Sequence, residues 1–102
     1  MPQQPWFLYL IETASGNLYT GITTDVSRRF EQHLSGTGSK YLRGKGPLKL
    51  VFQQPVSNRS IASQLEARVK KLSKKDKLKL LDQPERLSDL LAALSSEESN
   101  SS

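Results

Sequence analysis

The chain contains no cysteine. That excludes a disulfide framework, a thiolate metal site and a cysteine nucleophile. It has a single histidine, His33, so a zinc site built from several imidazoles is excluded as well. Oxygen ligands remain, and they suit a hard divalent cation such as magnesium or manganese. No apolar run approaches the roughly 18 residues of a membrane span. The start of the chain, Met1-Pro2-Gln3-Gln4-Pro5-Trp6, has neither the charged nor the long apolar region of a secretory leader. The expectation is a cytoplasmic protein with no membrane partner. Hydrophobic residues make up only 35% of 102 residues, enough for one small core but not for two. A single-domain monomer is expected.

Charge is unevenly placed. Residues 1–24 carry one acid and no base, whereas residues 25–82 carry fourteen Lys or Arg against five Asp or Glu. Residues 83–102 reverse the sign, with one base and four acids. A middle section this basic is either a solvated lysine-rich surface or the electrostatic footprint of a phosphate-rich partner.

The apolar, aromatic-rich run Trp6 to Ile11 reads as a buried strand. Turn chemistry at Ser15-Gly16-Asn17 joins it to a second strand, Leu18 to Thr23, making a hairpin. Gly21 inside that strand implies a bulge or a close approach to the backbone. Thr24-Asp25 can open a helix whose inward stripe is expected to be Val26, Phe30 and Leu34, ending at Gly36. An irregular stretch from Gly36 to Pro47 holds four glycines and the cations Lys40, Arg43 and Lys45. A third strand is expected over Leu48 to Phe52. Ser57-Asn58 can cap a second helix with Ile61, Leu65, Val69 and Leu72 on one face, and Ser73 to Asp76 has the form of a capping box for a third. Pro84 opens a fourth, with Leu87, Leu90, Leu91 and Leu94 inward. Residues 95–102 read as a disordered acidic, serine-rich tail. The order β-β-α-β-α-α-α describes an α+β fold, a small three-stranded antiparallel sheet flanked by helices.

Several chemistry-bearing residues stand in a telling order. Phe7-Leu8-Tyr9 lies on the first strand and Tyr19-Thr20-Gly21 on the second. Arg29 follows Gly21 by eight residues, His33 follows one helical turn later, and Glu66 lies midway along the second predicted helix. This arrangement resembles the GIY-YIG nuclease family, in particular its small stand-alone bacterial members. The resemblance covers roughly residues 6–82, the globular part expected from domain size. The family's first triplet, Gly-Ile-Tyr, corresponds to Phe7-Leu8-Tyr9, with only the tyrosine kept. Its second, Tyr-Ile-Gly, corresponds to Tyr19-Thr20-Gly21, with the outer residues kept. Its helix arginine falls on Arg29 and its metal-binding glutamate on Glu66. The asparagine that many members carry well after the glutamate has no counterpart between Glu66 and Pro84.

The resemblance implies metal-dependent hydrolysis of phosphodiester bonds, in DNA rather than RNA, in repair or recombination. A divalent Mg2+ or Mn2+ held by Glu66 would polarise the phosphate. Arg29 would bind its non-bridging oxygens, and Tyr9 or Tyr19 would activate or orient water. His33 would relay a proton from a tyrosine. Residues 1–82 would form the catalytic domain, with 83–94 an appended amphipathic helix. Arg28, Lys40, Arg43, Lys45, Lys49, Arg68, Lys70 and Lys71 are candidates for phosphate contacts, assisted by backbone N–H groups at the loop glycines. Such contacts carry no sequence information, so selectivity for DNA structure or none at all is expected. Tyr41 either stacks on an exposed base or packs beneath its loop. The altered first triplet and missing asparagine support an alternative, a nucleic-acid-binding module of the same fold with weak or no catalysis. A more remote reading is a protein adaptor using the Leu87–Leu94 helix.

Overall fold

A computed structural model describes residues 5–38 and 40–92 of the chain. Three strands, β1 (Trp6–Glu12), β2 (Leu18–Thr23) and β3 (Lys49–Val56), form one antiparallel sheet in the order β2-β1-β3. Helix α1 (Val26–Ser35) lies between β2 and β3 in sequence, and α2 (Arg59–Lys71), α3 (Lys74–Asp82) and α4 (86–92) follow β3. The expected α+β architecture and element order are therefore observed. Leu94 and the tail 95–102 lie outside the described residues.

The helix starts are built as the local sequence dictates. Asp25, Asn58 and Ser73 each sit just before a helix, and each side chain accepts a hydrogen bond from the backbone N–H three residues on, at 3.1, 2.9 and 3.1 Å. One otherwise unpaired donor is satisfied at each end. Gly36 closes α1 in a left-handed conformation, φ 83°, and its N–H bonds back into the last turn. A side chain there would be strained.

Strand β1 is central and both of its faces are covered. Leu8 and Leu10 join Phe52, Val56, Ala62, Leu65, Val69, Leu80 and Leu87 in a core shared with α2, α3 and α4. Tyr9 and Ile11 point the other way, into a second cluster with Val26 and Leu42. Alternation along one strand thus splits structural from chemistry-bearing side chains. Each fully buried leucine here contributes about 1.5–3 kcal/mol relative to exposure.

Two expectations are corrected. First, β3 runs through Pro55 to Val56 rather than stopping at Phe52. Pro55 is tolerated because β3 is an edge strand, where a missing N–H can face away from the ladder. The pairing slips between Leu10↔Phe52 and Ile11↔Leu50, leaving Val51 as a bulged extra residue. The bulge is why Leu50 and Phe52, two apart, serve opposite clusters. Second, the buried stripe of α1 is not Val26–Phe30–Leu34. Leu34 is 56% exposed and His33 only 2%. At about 100° per residue, a residue seven positions after Val26 returns to within about 20° of it, whereas one eight positions on lies about 80° away. The expected face of α2 is observed: Leu65 and Val69 are buried, Ile61 and Leu72 pack partly buried against the same core, and Ala62 joins them.

Thr20 is 2% exposed and its hydroxyl has no hydrogen-bond partner among the described residues. The family triplet places isoleucine there. Thr20→Val keeps the shape and removes the stranded hydroxyl, so it is expected to stabilise the fold by about 1 kcal/mol. Thermal unfolding should shift upward by about 4–8 °C for a domain of this size. An unchanged or lowered midpoint would show that the hydroxyl is satisfied in solution.

Candidate active site

Tyr9 projects from the middle of β1 directly opposite Gly21 of β2. Its ring lies across the glycine: a Cβ built on Gly21 would collide with the Tyr9 hydroxyl and ring carbons. Glycine in a strand costs about 0.5–1 kcal/mol, and here it makes room for an aromatic ring. The strand glycine noted in the sequence is thus explained by close approach, not by a bulge.

The buried hydroxyl of Tyr9 lies 2.9 Å from Nε2 of His33, which α1 supplies from the opposite side. Burial pushes the Tyr9 pKa up to about 12, and only partly offset is this by the nearby Arg29 guanidinium. The His33 pKa is lowered, first by burial and then by the positive charge of Arg29. The pair therefore stands as a protonated phenol beside a neutral imidazole at neutral pH. Nδ1 of His33 is buried without a partner among the described residues. Gly38 closes over it; a Cβ there would stand 2.5 Å from Nδ1.

Tyr19 packs edge-on to His33, with centroids 5.4 Å apart and planes at 69°, and 6.4 Å from the ring of Tyr9. Arg29 is half-buried, and its Nη1 donates to Oε1 of Gln32 at 3.0 Å. Both residues line a cleft of about 290 Å³ with Trp6, Ile22, Thr23, Thr24, Asp25 and Arg28. Glu66 on α2 is close enough that its charge acts on Tyr9. Its carboxylate is 3.6 Å from Lys70 Nζ one turn on.

The fold thus gathers Tyr9, Tyr19, Arg29 and His33 around one point, with Glu66 within electrostatic reach. Of the candidate phosphate-binding cations, Arg28 shares the cleft with Arg29, Lys45 lies over the Tyr41 ring, and Lys70 pairs with Glu66. Arg43 donates to the Gly36 carbonyl at 3.3 and 3.2 Å, tying the loop to the end of α1. Lys40, Lys49 and Lys71 are exposed and Arg68 is half-buried.

Three roles were not read from the sequence. Gln32 holds Arg29, and its position three residues on along the same helix was a usable signal. Gly38, one of the loop glycines expected to offer an N–H to phosphate, instead donates it to the Gln32 carbonyl at 3.0 Å and seats His33, and no local pattern announces that contact. Arg59 lies 5.8 Å over the Trp6 ring at the edge of the cleft, a pairing across elements that no spacing rule finds.

Comparison with known proteins agrees with this geometry. Residues 5–79 match the family model described as the GIY-YIG catalytic domain. The UPF0213 protein YhbQ of Escherichia coli strain K12 is 55% identical over 94 residues, which is 92% of this chain and 94% of that protein. Its counterpart in Shigella boydii serotype 18 is 54% identical over the same length. Two solution structures are similar. The UPF0213 protein BH0048 from Bacillus halodurans is 41% identical with a TM-score of 0.51, over 76% of this chain and 83% of that one. The protein EF2693 from E. faecalis is 34% identical with a TM-score of 0.56, over 78% and 85%. With the family model matched over residues 5–79 and the Escherichia coli and Shigella boydii proteins aligned over 92% of the chain, the chain belongs to the GIY-YIG domain family.

Proposed function

We propose that this protein is a metal-dependent endonuclease that hydrolyses phosphodiester bonds in DNA, selecting by structure or not at all. The observation that carries the reading is the 2.9 Å Tyr9–His33 pair with Arg29 and Glu66 acting on it. A buried protonated phenol and neutral imidazole, with a guanidinium and a carboxylate acting on them, match the needs of phosphodiester hydrolysis.

The donor set fits a hard, mostly water-ligated ion. Among the described residues no group of three or more His, Cys, Asp or Glu side chains is poised to hold a metal. Among the described residues Glu66 is the one carboxylate acting on Tyr9, as suits magnesium, which keeps most of its waters. Glu66 would hold the ion, and Lys70 would yield its partner to it. When bound, the ion would supply Lewis acidity at the phosphate and at the leaving oxygen.

The chain's own residues do the rest. Arg29, oriented by Gln32, presents its planar fork to the non-bridging oxygens as charge builds on phosphorus. Tyr9 donates its proton to Nε2 of His33 as its oxygen takes a proton from the attacking water, leaving an imidazolium and a restored phenol. Tyr19, half-exposed beside the same ring, orients that water. The rim of Arg28, Arg43 and Lys45 holds the backbone without reading sequence.

The test is cleavage of labelled DNA duplexes, flaps and single strands with magnesium, with manganese and with chelator. Metal-dependent products are expected. Binding without cleavage under any metal would favour the binding-module reading, to which the missing downstream asparagine points.

A further inference from the structure

The aromatic cluster does not stop at the buried pair. Tyr41, on the glycine-rich loop, lies against Tyr19 with ring centroids 5.9 Å apart and planes at 21°, a stacked arrangement. It is 47% exposed, among the most exposed large hydrophobic side chains of the fold. Tyr9, Tyr19 and Tyr41 therefore form a continuous path of rings from the buried hydroxyl to the surface. Nζ of Lys45 lies over the Tyr41 ring, 5.5 Å from its centroid, so a base stacking on that face would displace this exposed side chain toward its own phosphate. The flanking loop is open: a Cβ built on Gly36 or Gly44 meets nothing within 4 Å.

A tyrosine that served only to pack would bury its ring under the loop. Here the ring is propped on Tyr19 and left half in water, with the exposed Lys45 ammonium over it. That combination of aromatic face, adjacent ammonium and low surroundings is how single-stranded nucleic acid is held. We propose that Tyr41, backed by Tyr19, is a stacking platform for one unpaired base next to the bond that is cut. The substrate class is then DNA with an unpaired nucleotide at the cleavage point, such as a flap or a fork, in preference to intact duplex. In an intact duplex both faces of every base are already covered by neighbours, so the platform has nothing to receive. This deepens the nuclease reading and rests on it for the word "cut", but the stacking itself is a binding property.

The experiment separates the two. A fluorescent adenine analogue, quenched when stacked, is placed at the unpaired position of a flap and at the matching position of an intact duplex. Binding is followed with chelator present, so no cleavage intervenes. Wild-type protein is expected to quench the flap probe and to bind the flap more tightly than the duplex. Tyr41→Ala should lose the quench and bind the flap about five- to 150-fold more weakly, bringing the flap-to-duplex ratio toward one. Tyr41→Phe, which keeps the ring, should retain the quench, and circular dichroism of both variants checks the fold. Equal loss on flap and duplex in Tyr41→Ala, or no quench by the wild type, would overturn the platform. Quenching by wild type without cleavage in magnesium or manganese would leave the platform standing and remove the nuclease.

Discussion

Replacing Arg29 by alanine is expected to slow DNA cleavage by about a hundred- to a thousandfold while leaving the fold in place. Arg29 is half-buried at the cleft and its side chain is held by Gln32. Its removal takes away a hydrogen bond to the Tyr9 side chain but no apolar packing, because the inward stripe of α1 is Val26, Phe30 and His33. What is lost is a fixed positive charge where negative charge develops on the phosphate. Arg29→Lys should recover little, because an ammonium cannot reproduce the two-pronged grip of a guanidinium. A second signature follows from the same charge. Arg29 contributes to the lowered pKa of His33, so the His33 titration followed by NMR should move to higher pH in Arg29→Ala. A bound phosphate that offsets Arg29 has the same sign, making His33 a better proton acceptor once substrate is present. A rate loss below tenfold, or an unmoved His33 titration, would contradict this placement of Arg29.

Tyr9→Phe is expected to cost about a hundredfold or more in cleavage and about 1–3 kcal/mol in stability. The stability loss arises because His33, already lacking a partner at Nδ1 among the described residues, loses its partner at Nε2 as well. The catalytic loss arises because the proton relay loses its first carrier. A double variant, Tyr9→Phe with His33→Gln, should cleave about as slowly as the slower single variant, as residues acting in one unit do. Multiplying losses would show that the two act separately. The pH profile distinguishes the relay from a phenolate base. With Tyr9 held near a pKa of 12, a phenolate mechanism would speed up about tenfold per pH unit through the neutral and alkaline range. The relay instead predicts no such climb from Tyr9, and an acid limb below about pH 6.5, because the His33 pKa is lowered from 6.5. Stability has the same asymmetry. Below pH 6.5 the unfolded chain binds a proton on His33 that the folded chain resists, so stability falls as pH drops. At the other end the folded chain keeps the Tyr9 proton that the unfolded chain releases, so stability falls as pH rises from 10.0 toward about 12.

The helix caps were legible in the sequence because each depends on a side chain and an N–H three residues apart. Asp25, Asn58 and Ser73 needed nothing from the rest of the chain. The sheet and element order followed from apolar runs and turn residues. The bulge at Val51 was not legible, because it answers to the pairing with β1 rather than to its own neighbours. The exchange of Leu34 for His33 on the buried face of α1 has a different origin. Hydrophobicity favours the leucine, but helical geometry and the Tyr9 hydroxyl favour the histidine. The motif residues could be named from spacing, yet spacing does not say which atoms meet. The Tyr9–His33 contact spans 24 positions, and the seating of His33 on Gly38 comes from the course of a loop. Tyr41 was ambiguous for the same reason, since only the loop's course decides whether its ring lies above or below.

Cleavage of an end-labelled flap by wild type and by Glu66→Ala, each in magnesium, in manganese and in chelator, tests the central claim most directly. Removing Glu66 leaves Lys70 without its carboxylate partner, so the variant should still bind DNA. The account predicts products from the wild type only when metal is present and none from Glu66→Ala. Cleavage that survives chelator, or cleavage by Glu66→Ala at the wild-type rate, would contradict it.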